Sequence, residues 1–263
     1  MGRGDEPTVK LKSRGVTDRG LRRHHNEDEL LARDDLALYV VADGMGGHAA
    51  GEVAADLAVK AVERVIEATQ SSEDDTWPNE WDHRLSANAN RLRQAVLSAH
   101  RTVTGAVEGD PELRGMGATI VAALLDGDRG RLSLAHVGDS RAYLFREGAM
   151  RLITSDHSWV HEQVVAGLLS EDAARNHPLK NVVTRALGGT QEPAVDVEDL
   201  GLVAGDLLLL CSDGLNTMLA DEEIGAVLAH GGDLTRLAYQ LVTEANRKGG
   251  IDNITVIIAQ ALP

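Results

Sequence analysis

Short apolar runs alternate along the chain with longer segments whose apolar residues recur every three or four positions. The runs at residues 36–42 and 206–211 consist largely of β-branched or leucine side chains, and residues 9–17 carry such side chains at four of nine positions; all three segments are bounded by polar or glycine-containing turns. Runs of this length and composition predict β-strands. The same criteria predict further strands at residues 115–125, 132–137, 141–146, 195–200 and 254–260.

Helical periodicity marks the remaining apolar segments. Val53, Leu57, Ala61 and Val65 are examples of the apolar face that predicts an amphipathic helix from residue 50 to residue 69. A second long helix is predicted at residues 85–107. Shorter helices are predicted at residues 159–167, 170–176, 221–229 and 234–247. The segment 70–83 is polar and lacks this periodicity, so it predicts an exposed connection.

The order of these elements predicts an α+β protein. Strands between residues 115 and 146 follow one another closely through Gly and Asp turns, which favours antiparallel hairpins over strand-helix-strand units. The two long helices indicate a helical layer packed on a sheet. A chain of 263 residues could form one domain or two. We expect a single domain over residues 1–263, because the candidate functional residues are spread from Asp43 to Asp252.

Composition narrows the classes of function. The chain has 26 basic and 41 acidic residues, a formal charge of −15, which argues against a nucleic-acid-binding surface. Its only cysteine, Cys211, lies in a predicted strand, so neither an intrachain disulfide nor a thiolate metal cluster can form. The N-terminus lacks a signal-peptide apolar region, and no stretch approaches the ~20 apolar residues of a membrane span. These features predict a cytoplasmic protein without a membrane span in this chain.

Aspartates stand at the ends of several predicted strands. Asp43, Asp139 and Asp213 each follow an apolar strand, and Asp252 precedes the last one. A single Asp of this kind is usually a turn residue. In antiparallel pairing the start of one strand lies beside the end of its neighbour, so we expect the four carboxylates at one sheet edge. Bound Mg²⁺ or Mn²⁺ would offset their repulsion, and Asp43 is the candidate to bridge two ions.

Seven ordered motifs extend this pattern over residues 17–259. They are Asp18-x-Gly20-x-x-Arg23-x-x-Asn26-Glu27-Asp28, Asp43-Gly44-Met45-Gly46-Gly47-His48, Gly115-Met116-Gly117-Ala118-Thr119, Val137-Gly138-Asp139-Ser140-Arg141, Thr154-x-Asp156-His157-Ser158, Ser212-Asp213-Gly214 and Gly250-x-Asp252-Asn253-Ile254-Thr255. Their residues and order resemble those of the metal-dependent protein phosphatases, the type 2C serine/threonine phosphatases, and match the bacterial branch best.

The resemblance implies a four-layer α-β-β-α sandwich with two central antiparallel sheets and a metal site in the cleft at one end. It also implies two core ions, Mn²⁺ or Mg²⁺. Asp43, Asp213 and Asp252 would hold one ion, while Asp43 and the carbonyl of Gly44 would hold the other. A third, weaker ion would be shared by Asp139 and Asp213.

Further roles follow from the same resemblance. Arg23 would bind the substrate phosphate, which suits a guanidinium because its planar fork matches phosphate oxygens. Glu27 and Asp28 would act mainly through metal-bound water. Eukaryotic members carry a histidine where this chain has Met45. His48 matches the bacterial Gly-Gly-His variant and would either act as general acid or begin the helix; metal-bound water could replace it as the acid.

A variable flap is the last feature that the resemblance implies, and residues 159–181 correspond to it. His157 lies just before the flap and would either contact the substrate or close a turn.

The resulting hypothesis is a serine/threonine phosphoprotein phosphatase in which metal-activated water attacks the phosphate in line, without a phosphoenzyme. The expected substrates are phosphorylated Ser/Thr proteins, including a cognate Ser/Thr kinase, and the expected state is a monomer. Three alternatives remain at this point: a phosphoprotein-binding signalling module with a degenerate site, a two-metal hydrolase acting on nucleotides or phosphodiesters, and a regulator phosphatase acting on a sigma-factor antagonist. The intact aspartates disfavour the first, and the acidic composition disfavours the second.

Overall fold

A computed structural model describes residues 8–46, 50–70 and 81–263. Two five-stranded antiparallel sheets face each other. In spatial order, the first sheet contains β2 (Asp28–Arg33), β3 (Leu38–Met45), β4 (Gly117–Asp126), β5 (Arg131–Val137) and β8 (Asp196–Gly201). In spatial order, the second sheet contains β1 (Lys10–Asp18), β10 (Ile254–Leu262), β9 (Leu207–Cys211), β6 (Arg141–Arg146) and β7 (Ala149–Leu152).

Helices cover the outer face of each sheet. α1 (Ala50–Gln70) and α2 (Ala87–Gly109) lie against the first sheet. α6 (Asp221–Ala229) and α7 (Leu234–Arg247) lie against the second. Three shorter helices complete the described elements: α3 (Trp159–Val165), α4 (Glu171–Arg175) and α5 (Asp213–Asn216). The predicted α-β-β-α sandwich is confirmed.

Strand β3 illustrates how the sequence specifies these layers. Side chains alternate between the two faces of a strand. Tyr39 and Val41 accordingly lie in the core between the sheets, while Val40 and Ala42 lie in the core beneath α1 and α2. A separate core joins the second sheet to α6 and α7. Because both faces of β3 are buried, its sequence is a continuous apolar run.

The structure adds two strands that the sequence pattern did not predict. β2 is an edge strand that begins at Asp28, directly after the polar loop, and five of its six residues are half-buried. β7 has only four residues and pairs with β6 as a hairpin. The expectation of successive hairpins is confirmed for β4 and β5 but is wrong for β5 and β6, which lie in different sheets. Gly138 makes the turn between them with a φ of 110°.

Several expectations lie outside the described residues. Most of the predicted connection at residues 70–83 does so, as does His48. The predicted helix at residues 159–167 ends earlier, at Val165. Across the described part of the chain, no helix combines the length and apolar character that crossing a membrane requires.

Candidate metal centre and phosphate site

Acidic residues from both sheets meet at one end of the sandwich. Asp43 lies on β3 of the first sheet, and Asp213 follows β9 of the second. Asp213 is one of the charges that raise the pKa of Asp43, so the two carboxyl groups lie close together. Asp139 follows β5, and Asp252 precedes β10. The expectation of a single sheet edge is therefore wrong, because each sheet contributes two of the four aspartates.

The charges of these aspartates oppose one another in a poorly solvated region. Burial is the main cause that raises the pKa of Asp43 well above its ordinary value, and Asp28 and Asp213 raise it further. Burial likewise raises the pKa of Asp213 to about 6, with Asp252 adding to the effect. Burial also raises the pKa of Asp139 to about 8, and the charge of Asp213 contributes. The site therefore disfavours its own negative charge unless a cation is bound.

Asp28 faces Asp43 across the β2–β3 pair. Its Oδ2 accepts a hydrogen bond of 2.7 Å from the hydroxyl of Ser212, whose Oγ also accepts from the Thr255 amide at 3.0 Å. Its Oδ1 is buried and has no hydrogen-bond partner. Burial raises the pKa of Asp28 to about 7, although the hydroxyl groups of Thr255 and Ser212 lower it. An unpartnered carboxylate oxygen here suits a water or cation.

Gly44 lies where the end of β3 meets the first turn of α1. Its amide donates to the carbonyl of Glu27 at 3.0 Å. A Cβ at this position would overlap the carbonyl oxygen of Gly51 and lie 2.6 Å from that of Glu27. A residue with a side chain does not fit, so glycine lets the backbone beside Asp43 pass this close to the backbone of Gly51 and Glu27.

Within the described part of the chain, Arg23 is the basic residue that contacts this acidic cluster. Its Nη2 lies 2.6 Å from Oδ2 of Asp252, and half of its side chain is exposed. The hydrogen bond that Arg23 donates to Asp252 raises the pKa of Arg23, and the charges of Glu27 and Asp43 act in the same direction. A guanidinium at the mouth of an acidic site can bind a phosphate that approaches from solvent.

Asn253 holds the loop that carries Arg23. Its side-chain oxygen accepts from the amide of Glu27, and its side-chain nitrogen donates to the carbonyls of Arg19 and His25, each at 2.9 Å. The sequence predicted no separate role for Asn253, although this residue belongs to the motif that contains Asp252. Its buried amide fixes the path of an otherwise irregular loop.

The two candidate histidines differ in what can be described. His48 lies outside the described residues. His157 is buried, and its ring contacts Gly138, Arg185 and Asp196. These contacts favour the turn-closing alternative over contact with a substrate.

The donor set fits divalent cations. Carboxylate and carbonyl oxygens are the ligands preferred by Mg²⁺ and Mn²⁺. The cluster contains several buried carboxylates and an unpartnered oxygen on Asp28, which a cation would compensate. Asp252 accepts from Arg23 on Oδ2 and from the amide of Asn253 on Oδ1, so an ion bound here would share an oxygen with one of these donors or displace it.

The comparisons with known proteins agree with this geometry. Residues 21–248 match the family model for protein phosphatase 2C. The chain is 38% identical over 251 residues to serine/threonine phosphatase stp of Listeria welshimeri, and the match covers 93% of each chain. It is also 38% identical over 256 residues to the serine/threonine protein phosphatase PstP of Mycobacterium tuberculosis. That match covers 97% of this chain and 46% of PstP.

Solved structures extend the similarity to the fold. The crystal structure of the catalytic domain of PstP, in complex with 2 manganese ions, has a TM-score of 0.80 and 36% identity with this chain. The alignment covers 97% of this chain and 100% of that domain. The sequence match, the fold and the conjunction of acidic residues lead to one conclusion: the chain belongs to the protein phosphatase 2C family of serine/threonine phosphatases.

Proposed function

We propose that Asp43, Asp213 and Asp252 hold the divalent cations on which this serine/threonine protein phosphatase depends. The observation that carries the proposal is the convergence of buried carboxyl groups from opposite sheets, since Asp213 from the second sheet lies close enough to raise the pKa of Asp43 on the first. Burial of like charges is costly, and a fold retains it where a cation offsets the charge. The manganese ions in the PstP structure support a metal of the same kind here.

The proposed ligand set follows the sequence motifs. Asp43, Asp213 and Asp252 would hold one core ion, and Asp43 with the carbonyl of Gly44 would hold the other. Asp139 and Asp213 would hold a third ion. Glu27 and Asp28 act through water, and the ions are Mn²⁺ or Mg²⁺. When bound, such cations supply Lewis-acid stabilisation of the phosphate oxygens and lower the pKa of the attacking water.

Arg23 has the complementary task of binding the phosphate. Its guanidinium is charged at every physiological pH and is half exposed at the mouth of the site. Two parallel N–H donors would orient the phosphate so that water attacks phosphorus opposite the seryl or threonyl oxygen. The new P–O bond forms as the bond to that oxygen breaks. His48 or a water molecule supplies the proton that the leaving oxygen takes up.

The proposed substrates are phosphoserine and phosphothreonine residues of proteins, including a cognate kinase. Such residues are made with ATP, so we place the enzyme in the cytoplasm. We also propose one catalytic domain over residues 1–263 and a monomeric enzyme. Ligands drawn from both sheets support a single domain. Family membership favours hydrolysis over the binding-module and nucleotide-hydrolase alternatives. The regulator type, acting on a sigma-factor antagonist, remains a narrower alternative.

Metal-dependent hydrolysis of a phosphothreonine peptide tests this proposal. Asp43→Ala and Asp213→Ala should each abolish turnover with Mn²⁺, because each removes a ligand. Asp56→Ala is the matched control, since Asp56 lies on α1 in an exposed pair with Lys60. A panel of phosphopeptides, nucleotides and a phosphodiester should give turnover with phosphopeptides. Undiminished turnover in either ligand variant, or a preference for nucleotides, would refute the proposal.

A further inference from the structure

His136, His157 and Asp196 form a second cluster of possible metal ligands. One ligand atom from each lies within 4.8 Å of the others. The two imidazoles stack with their centroids 4.6 Å apart and their planes 17° apart. Asp196 lies at the start of β8, and both histidines are buried. This combination of residue types is common at transition-metal sites.

The hydrogen bonds of His157 argue against a metal there. Its Nδ1 lies 3.0 Å from the amide of Gly138, which can only donate, so this nitrogen carries no proton. The proton of a neutral ring is then on Nε2, which lies 3.2 Å both from Oδ2 of Asp196 and from Nη1 of Arg185; the guanidinium can only donate, so Asp196 is the acceptor for this proton. A protonated nitrogen has no lone pair for a metal. Arg185 already places a cation 3.0 Å from Oδ1 of Asp196.

The same contacts fix the turn that precedes Asp139. The amide of His157 donates to the carbonyl of Gly138 at 2.9 Å, so both polar groups of the Gly138 backbone are bound to His157. Gly138 has a φ of 110°, and a Cβ there would overlap the side chain of Thr119. The turn therefore depends on glycine for its conformation and on His157 for its hydrogen bonds.

His157 also closes the base of the flap. Its carbonyl accepts from the amide of Thr184 at 2.8 Å, Ser158 pairs with Val183, and the amide of Trp159 donates to the carbonyl of Val182 at 2.8 Å. Side-chain replacement at residue 157 leaves these backbone contacts available. The flap and the Asp139 turn can therefore be perturbed separately.

We propose that His157 is a positioning residue whose neutral ring, oriented by Asp196, holds the Gly138 turn and thereby places the carboxylate of Asp139 for its cation. The inference rests on the proposed function, because it takes Asp139 as a ligand. Burial lowers the pKa of His157, and His136 and Arg185 contribute, which agrees with a neutral ring at pH 7.

Two replacements of His157 separate its two side-chain contacts. In Asn, Oδ1 occupies about the position that Nδ1 has in histidine, so His157→Asn keeps an acceptor for the Gly138 amide. The side chain of Asn is too short to donate to Asp196. The longer side chain of His157→Gln keeps a donor near Asp196 and gives up that acceptor. Removal of an orienting partner typically lowers metal affinity about 10-fold to 100-fold. We expect such a loss for the Gln variant and a smaller one for the Asn variant.

The measurements are calorimetric titration with Mn²⁺ and hydrogen exchange of the Gly138 amide by NMR. The weakest Mn²⁺ site of His157→Gln should lose affinity about 10-fold or more, and its Gly138 amide should exchange faster. In phosphopeptide turnover, kcat should fall while KM stays near that of the wild type, because the flap is retained. Asp196→Ala, at a half-exposed position, should change metal binding in the same direction; exposed Glu198→Ala on β8 is the control.

Each outcome bears on a different proposal. Wild-type Mn²⁺ affinity and wild-type Gly138 exchange in the Gln variant would overturn the role of His157. A zinc or Mn²⁺ site that disappears with Asp196→Ala while Asp139→Ala leaves it intact would overturn it as well, in favour of a metal at the histidine cluster. If the wild-type protein binds no Mn²⁺, the proposed function fails, whereas faster Gly138 exchange in the Gln variant still supports His157 as the residue that holds this turn.

Discussion

The guanidinium of Arg23 is paired with Asp252, with 2.6 Å between Nη2 and Oδ2. This pair joins the proposed phosphate-binding residue to a proposed cation ligand. Half of the Arg23 side chain is exposed, so the pair itself adds little stability. A cation on Asp252 would compete with the guanidinium for the charge of this carboxylate. Metal binding should therefore release the guanidinium, which then becomes available to the phosphate.

Replacement of Arg23 tests its proposed contact with the substrate. Arg23→Ala removes a charged hydrogen bond, which is worth about 1.5–3 kcal/mol, so kcat/KM for a phosphothreonine peptide should fall about 10-fold to 100-fold. Steady-state kinetics at saturating Mn²⁺ measure the effect. Arg22→Ala, at the adjacent exposed position, should leave kcat/KM near the wild-type value. Equal decreases of kcat/KM in the two variants would contradict the proposed contact between Arg23 and the phosphate.

Neutralisation of Asp43 should have opposite effects on stability and activity. In EDTA, Asp43→Asn should raise the thermal midpoint above that of the wild type, because it relieves repulsion with Asp28 and Asp213. Each kcal/mol gained corresponds to about 2–4 °C in a domain of this size. Added Mn²⁺ should stabilise the wild type and leave the variant unchanged. A variant less stable than the wild type in EDTA would show that these charges do not repel.

Two glycines provide a matched pair for the backbone near the site. Gly44→Ala forces a Cβ against the carbonyl oxygens of Gly51 and Glu27, so unfolding free energy should fall by about 1–3 kcal/mol, and turnover should fall with it. Gly105 lies within α2 with open space around it, and Gly105→Ala should add about 0.5–1 kcal/mol. Urea unfolding measures both changes. A tolerated Ala at residue 44 would contradict the described turn.

His100 should make stability depend on pH. Burial lowers its pKa below the ordinary 6.5, and its Nδ1 accepts from the amide of Gly188 at 3.3 Å. Between its folded and unfolded pKa values the unfolded chain binds a proton that the folded protein resists. Stability from this group is therefore present above pH 6.5 and is lost as the pH falls below it.

The variant His100→Asn keeps an acceptor but does not titrate. Thermal midpoints of the two proteins at pH 7.5 and pH 5.5 give the comparison. The wild type should lose more stability on acidification than the variant does. Parallel losses would exclude a contribution from His100.

The sequence predicted the buried strands better than the edges. β3 is apolar throughout because both of its faces are buried, whereas β2 lies at an edge and carries polar residues at both ends. The local sequence pattern also did not indicate which of the two sheets each strand joins. β5 and β6 are neighbours in sequence, but the turn at Gly138 sends β6 into the opposite sheet.

The candidate site likewise contains residues that a local sequence pattern marks and residues that only the fold brings together. Asp43 and Asp213 were recognisable because they end apolar strands, which is a local signal. Asn253 and Ser212 act through hydrogen bonds to residues far away in sequence, and no periodicity marks such contacts. The pairing of His157 with Asp196 depends on where β8 lies in the first sheet. Only the folded chain defines that partner.

Crystals soaked in Mn²⁺ test most directly whether aspartates from two sheets share a pair of cations. Anomalous difference maps should contain two strong peaks, with Asp43 bound to both ions and with Asp213 and Asp252 bound to one of them. Arg23 should then have left Asp252. Peaks elsewhere, or none within coordination distance of Asp43, would contradict the account.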